Sequence, residues 1–374
     1  MTSPDARQAD RATSAAERPG APERARGPRA LAPLLPVGAI VFALGVLLDA
    51  VGLESAFLFA ALLVGLAVAL LLPRSRTAVP RRAFIAAQAT LGVMLGTFLE
   101  SSSLSSLADD WLPVAVVSVA TLVLSVVAGL VLTRTTEVDA PTGTLGMVAG
   151  GASGIVAMAD ELGADARLVA FMQYLRVLIV VLSIPVIVAF GFPAAGGGPG
   201  PDDGPLLAGL GDWLLTAAVA VAGAWAGRLT RLPAATLLGP LLLAGAIALI
   251  WPDALDVPPL AREVAFALIG LEVGLRFTAE TLRAMGRLLA PVVVAILALM
   301  AGSFLFALGL TATTSASLLE SYLATTPGGL YAVLAVAFGA GADTTFVVAV
   351  QTLRLLSLVI LAPFVVRWVV GRVA

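Results

Sequence analysis

The segment GGASGIVAMADELGADARLVAFMQYLRVL, residues 150–178, returns at residues 325–356 as TTPGGLYAVLAVAFGAGADTTFVVAVQTLRLL. An offset of 178 places Gly150-Gly151 on Gly328-Gly329 and Gly163-Ala164-Asp165 on Gly341-Ala342-Asp343. It also places Gln173, Leu175 and Arg176 on Gln351, Leu353 and Arg354. Working outward, the offset holds without a gap over residues 92–188, at about 30% identity. Gly92 and Gly96 fall on Gly270 and Gly274, Pro113 on Pro291, and Pro185 on Pro363. Shared apolar composition does not reproduce such punctuation, so the chain reads as an internal duplication.

The duplicated unit is apolar throughout. Hydrophobic residues make up 59% of the 374 residues and charged residues 12%, about half the charge density that a water-soluble surface needs. The fold class expected is therefore an all-α polytopic membrane protein. Apolar runs lie at about 31–48, 55–72, 83–99, 112–132, a Gly-rich 143–160 and 168–190. They resume at about 206–227, 234–251, 263–276, 289–310, a Pro/Gly-broken 321–341 and 344–370. Most of these runs approach the roughly 20 residues that cross a hydrocarbon core. The domain reading is a disordered cytoplasmic tail at 1–30, a membrane repeat at 31–190, a Gly/Pro/Asp linker at 191–205 and a second membrane repeat at 206–374.

Loop charges set the relative orientation of the repeats, because cytoplasmic loops keep their Arg residues. Arg74, Arg76, Arg81 and Arg82 follow the second span, whereas the partner loop holds Asp253 and Asp256. Glu100, Asp109 and Asp110 follow the third, against Arg276, Arg283 and Arg287. Alternating signs require an odd number of crossings per repeat. About five spans plus one broken or re-entrant segment, inverted between repeats, satisfies this and puts both termini in the cytoplasm. Inverted repeats with interrupted helices are the sequence sign of a secondary transporter.

Absent residues exclude much chemistry. With no Cys and no His, thiolate and imidazole nucleophiles and the usual zinc, copper and iron–sulfur ligands are missing. No cofactor and no metal site is implied. A net charge of −2 gives no basic face for direct nucleic-acid binding.

The residues that could hold a solute cluster in the repeated core. Gly150, Gly151 and Ser153 in one repeat, and Thr326, Pro327, Gly328 and Gly329 in the other, sit where Gly and Pro weaken helix. Half-helix ends there could offer amides to an anion; close helix packing through small residues is the other reading. Arg176 and Arg354 lie about 12–15 Å into their spans at 1.5 Å per residue. An Arg at that depth is a functional candidate by default, with snorkelling or a structural carboxylate pair as the alternative. Gln173 and Gln351 share its helix face one turn earlier. Asp165 and Asp343 stand where helix N-caps belong, with ion coupling as their second reading. Glu272, whose repeat partner is Met94, could couple a proton or pair with Arg276. The Gly92/Gly96 and Gly270/Gly274 spacings read as helix-packing sites.

At 150–178 and 325–356 the sequence resembles the membrane AbrB-duplication family, whose members carry the labels AbrB-family transcriptional regulator and ammonia monooxygenase. The resemblance extends over nearly everything after residue 30. It implies a bacterial inner-membrane protein with some link to gene expression. A copper monooxygenase would be expected to use His ligands, and the only long extramembrane segment, the tail, sets four acids against its six Arg. The function expected is a secondary transporter of a small, anionic solute bound at the repeat interface near the midplane, coupled to H+ or Na+. Its partners would be the lipid bilayer and a second copy in a homodimer. The broken-helix plan is similar in kind to sodium/proton antiporter and bile-acid symporter folds, by analogy only. The alternative is a membrane sensor or regulator acting indirectly on gene expression. An enzyme is not expected.

Overall fold

A computed structural model describes residues 34–50, 55–72, 77–98, 109–149, 155–156, 159, 162–192, 209–232, 234–251, 254–277, 279–354, 357 and 361. The tail at 1–30 and residues 193–205 of the linker lie outside them. The described residues contain helices and no strand. In the first repeat these are α1 (Leu34–Ala50), α2 (Ala56–Leu71), α3 (Arg81–Thr97), α4 (Trp111–Thr135), α5 (Ala140–Met147) and α6 (Ala166–Gly191). In the second they are α7 (Leu210–Leu229), α8 (Ala235–Ile250), α9 (Pro259–Leu275), the short α10 (Ala279–Ala284), α11 (Gly286–Thr313), α12 (Leu318–Thr325), α13 (Leu330–Gly339) and α14 (344–354). α4, α6, α7 and α11 are long and apolar enough to cross a membrane, and α1, α2, α8 and α13 are shorter apolar helices. The chain is an all-α polytopic membrane protein.

The sequence offset reappears in the helix boundaries. α3 and α9 begin and end at equivalent positions of the two repeats, as do α5 and α12. α8 starts and stops one position later than the offset places α2, because residues 72–80 connect α2 to α3 whereas 251–258, one residue fewer, connect α8 to α9. Even the strained entry is repeated: Ser55 and Ala234, which precede α2 and α8, both take a left-handed backbone, with φ 57° and 47°.

The repeated Gly-Ala-Asp triplet has a local physical account. Gly163 (φ 73°) and Gly341 (φ 66°) are left-handed, a conformation Gly adopts without a Cβ penalty. The amides of Ala164 and Ala342 return to the carbonyls of Ala159 and Ala337, each at 2.9 Å. That is the Schellman closure of a helix end. Asp165 and Asp343 then open α6 and α14, so three residues stop one helix and start the next.

Packing divides the helices into two bundles that cut across the repeats. α1, α2, α3, α7, α8 and α9 form one; α4, α5, α6, α11, α12 and α13 form the other. In the first, α2 packs on α9 and α8 on α3, so each repeat's second helix lies against the other repeat's third. Gly makes these contacts possible. A Cβ on Gly92 or Gly96 would overlap the carbonyl oxygens of Leu237 and Leu241, and one on Gly270 or Gly274 those of Leu58 and Leu62. The helix-packing reading of both Gly-x3-Gly pairs is thereby met by backbone approach.

Between the bundles, polar side chains carry several of the contacts. Ser55 Oγ donates to the Ala335 carbonyl at 2.9 Å, and Thr345 Oγ1 to the Phe98 carbonyl at 3.2 Å. Arg276 lies over the Tyr174 ring at 4.6 Å and donates to its hydroxyl.

Candidate functional site

α5 and α12 are two-turn helices, and each ends inside the second bundle. A helix end leaves its last carbonyls without intrahelical partners, and in a membrane interior water is not there to take them. The carbonyls that need donors are therefore known in advance, and α6 and α14 supply them. Gln173 Nε2 donates to the carbonyls of Leu145 and Val148, both at 2.7 Å, and Arg176 Nη1 to that of Met147 at 3.1 Å. Arg176 Nη2 donates to Gln173 Oε1 at 2.8 Å, which fixes both side chains.

The second repeat makes the same construction. Gln351 Nε2 donates to Leu323 at 2.8 Å and to Thr326 at 3.5 Å. Arg354 Nη1 donates to Thr325 at 3.1 Å and to Thr326 at 2.8 Å, while its Nη2 donates to Gln351 Oε1. Leu323, Thr325 and Thr326 are the repeat counterparts of Leu145, Met147 and Val148. All four side chains are sealed: Gln173 is 0%, Gln351 1%, Arg176 2% and Arg354 4% exposed. Neither Arg forms an ion pair with a carboxylate among the described residues; carbonyl oxygens at the negative ends of two helix dipoles take that place. Snorkelling is likewise overruled, because the guanidinium hydrogen bonds point inward rather than to a membrane surface.

Two features leave this cluster short of an acceptor. The Nε–H of Arg176 and that of Arg354 are both buried without a hydrogen-bond partner. No carboxylate among the described residues pairs with either charge. Arg176, from the first repeat, faces the helix break of the second: a Cβ on Gly328 would stand 3.1 Å from its Nε. Gly328 (φ 131°) and Gly329 (φ 74°) adopt backbone conformations that L side chains avoid, and Gly329 opens α13. The break between α12 and α13 thus brings a helix N-terminus to a buried guanidinium. Thr326 contributes its carbonyl to Arg354, and Pro327 lies within the same break. Gly150, Gly151 and Ser153 lie outside the described residues.

The carboxylates expected to couple an ion occupy other places. Asp165 accepts from the amides of Arg167 and Leu168 at 2.8 and 3.2 Å, and Asp343 from that of Phe346 at 3.0 Å. Both caps are made. Glu272 pairs with Arg276 at 2.6 Å, and both are partly exposed.

Two groups of functional interest are absent from the sequence reading. Thr142 and Glu320 occupy one repeat position and do one job. Each accepts the amide of the following cap, Asp165 at 2.8 Å and Asp343 at 2.9 Å. Glu320 also forms a capping box with Ser317. The second group is Gln88, Thr236 and Tyr331, joined by hydrogen bonds where α3, α8 and α13 meet. A polar residue facing an apolar one at the same repeat position was the available signal, since Gln88 corresponds to Phe266.

Fold and site together define a polytopic helical membrane protein with two Arg–Gln clusters, at equivalent positions, closing the C-terminal ends of α5 and α12. A family model described as transition state regulatory protein AbrB matches residues 12–370. The chain belongs to this AbrB family. It is 36% identical over 340 residues to a protein of Escherichia coli (strain K12) named "Putative regulator AbrB", covering 86% of this chain and 94% of that one. It is 28% identical over 348 residues to "Uncharacterized protein YhjN" of Bacillus subtilis (strain 168), covering 87% and 90%. No solved structure matches it.

Proposed function

We propose that this protein is a secondary transporter of a small anion, without enzymatic chemistry of its own, and that Arg176 and Arg354 hold the anion. The observation that carries this reading is the pair of buried guanidinium groups, each with an unpartnered Nε–H and neither balanced by a carboxylate among the described residues. Buried charge of one sign is costly unless paired, and intramembrane ionisable groups mark solute pathways. The anion would complete the pairing, with the Gly328–Gly329 end of α13 adding backbone amides. Gln173, Gln351, Thr326 and Pro327 shape the site, with Gly150, Gly151 and Ser153 at the matching break.

The loop charges support inverted repeats, and the cross-repeat packing of α2 on α9 and α8 on α3 suits two halves related by a pseudo-twofold. In this reading the protein lies in a bacterial inner membrane with both termini cytoplasmic, as a homodimer, and H+ or Na+ drives transport through Asp165, Asp343 or Glu272. The printed name of the Escherichia coli relative favours a second reading, a membrane sensor that acts on gene expression through a bound metabolite. Proteoliposomes separate the two. Uptake of a labelled carboxylate that needs an imposed H+ or Na+ gradient, and that is lost in Arg176→Gln, is the expected result. Binding to the purified protein without any flux would sink the transporter reading in favour of the sensor.

A further inference from the structure

The Arg–Gln clusters are sealed, so a solute reaches them only if packed helices part. Two contacts that hold those helices to the first bundle stand at equivalent repeat positions. Phe98 follows α3 and Arg276 follows α9, and the offset of 178 places one on the other. Phe98 meets the Phe338 ring of α13 edge-on at 4.9 Å, and its carbonyl accepts from Thr345 of α14 at 3.2 Å. Arg276 lies over the Tyr174 ring of α6 and donates to its hydroxyl, while Glu272, one turn earlier, holds the guanidinium at 2.6 Å.

The two contacts lie at opposite ends of the first bundle. The guanidinium of Arg262, near the start of α9, stands over the same Phe338 ring, 5.7 Å from its centroid. The end of α3 and the start of α9 therefore share one partner, and the two helices run antiparallel. Arg276 comes 14 residues after Arg262, about 21 Å further along the axis at 1.5 Å per residue. Each contact also reaches a helix of the site. Tyr174 sits between Gln173 and Arg176 on α6, and Phe338 sits on α13, whose Gly328–Gly329 end faces Arg176. Phe98 and Arg276 are exposed at the rim, whereas the cluster residues are buried.

We propose that these two contacts are the gates of the transporter: Arg276 on Tyr174 closes the site toward the cytoplasm, and Phe98 on Phe338 closes it toward the outer face. The inference rests on the transporter reading above, takes the sides from the loop charges, and adds how the site opens. Inverted halves exchange the two membrane faces, so residues at one repeat position meet opposite surfaces. The gates are alike in place and unlike in chemistry. A cation on a ring with its hydrogen bond makes one, and an edge-to-face aromatic pair makes the other. Opening one while the other stays shut exposes the anion site to a single side at a time.

Because the chain has no Cys, a single introduced thiol reports access to the site. Val148→Cys and Thr326→Cys each place one at a sealed position beside a cluster, one in each repeat. The full chain is reconstituted in vesicles of known orientation. The probe is 2-sulfonatoethyl methanethiosulfonate, a small anion that does not cross the bilayer, added from either side. The thiol reacts in the open population, which each lost contact enlarges. Arg276→Ala should speed labelling about tenfold from the cytoplasmic side alone, and Phe98→Ala by a similar factor from the outer side alone. Tyr174→Leu and Phe338→Leu remove the same contacts from the second bundle and give the readout should the first pair not fold. Unchanged rates overturn the gates. So does faster labelling from both sides in one variant, which is the result that loosened packing would give. The transporter reading is separable. If the wild-type background is labelled slowly from both sides and no gate variant alters this, the site still alternates and only the gates are misplaced. If every variant is labelled from one side only, the site has a single opening, and the transporter reading falls together with the gates.

Discussion

The two short helices α5 and α12 are built alike at their C-terminal ends and differently around them. Both end on carbonyls held by a Gln–Arg pair from the following helix, the donors and acceptors falling at equivalent repeat positions. Around them, Thr142 is replaced by Glu320, and an aromatic setting of Phe57 and Phe266 by the polar group of Thr236 and Gln88. The shared part answers a demand that every broken membrane helix faces, which is to find donors for its last carbonyls. The divergent part answers no such demand, because Phe266 packs in the core at the position where Gln88 makes hydrogen bonds. Comparison of the two positions thus separates what both helix ends need from what differs between them.

The largest expected effect bears on the shared part. Arg176→Met strands the Met147 carbonyl and Gln173 Oε1, and should cost about 2–4 kcal/mol. Arg354→Met strands the Thr325 carbonyl and Gln351 Oε1 and also takes one donor from the Thr326 carbonyl, which keeps the Gly328 amide, so it should cost somewhat more. Thermal unfolding in detergent checks the order; equal or negligible losses would mean that the carbonyls find other donors and that the likeness of the two ends is not energetic.

The close approach of α2 to α9 and of α3 to α8 comes next. Gly270→Ala and Gly92→Ala each drive a methyl into a carbonyl oxygen across the helix pair. The helix-propensity gain of Ala, about 1 kcal/mol, opposes an overpacking cost of about 1–3 kcal/mol. Since the contact is backbone and cannot swing aside, the upper part of that range should win. Both variants should therefore show a net loss of stability, and to similar extents, by the same thermal measurement.

A swap sharpens the contrast between Thr142 and Glu320. Glu320→Thr makes the second repeat resemble the first at this position. The Asp343 amide keeps an acceptor of the kind Thr142 provides, but the capping box with Ser317 is lost, a cost of about 1 kcal/mol. A loss several times larger would show that Thr and Glu are not interchangeable there.

The smallest effect is expected at Glu272. Its ion pair with Arg276 is partly exposed, and such pairs contribute about 0.2–1 kcal/mol. Glu272→Gln should barely move the thermal midpoint. If the same variant abolishes gradient-driven uptake, the loss is functional and Glu272 couples the ion. Unchanged uptake leaves coupling to Asp165 or Asp343.

Much of this was legible in the sequence. The all-α, apolar character, the burial of Arg176 and Arg354 and the packing role of Gly92, Gly96, Gly270 and Gly274 all follow from spacing and composition, since each depends on local chemistry. The partners of the Arg residues were not legible. Sequence points to a bound solute, snorkelling or a carboxylate partner, whereas the guanidinium groups bind backbone carbonyls, and a carbonyl is present at every residue and leaves no mark in a sequence. Gln88 is silent in the sequence for a related reason. One Gln in an apolar helix is unremarked until Thr236 and Tyr331, 148 and 243 residues away, are known to touch it.

The sequence by itself determined that this chain is a helical membrane protein made of two related halves, because hydropathy and self-similarity are properties of the linear chain. Only the tertiary structure decided that each half divides between two bundles, that Arg176 of one repeat faces Gly328 of the other, and that three scattered polar residues form one hydrogen-bonded chain. Those outcomes depend on which helix faces meet. Helix faces in an apolar chain carry little amphipathic signal, because lipid and protein interior are equally apolar, so the partners are chosen by Gly-permitted backbone approach and by the hydrogen bonds left unmade.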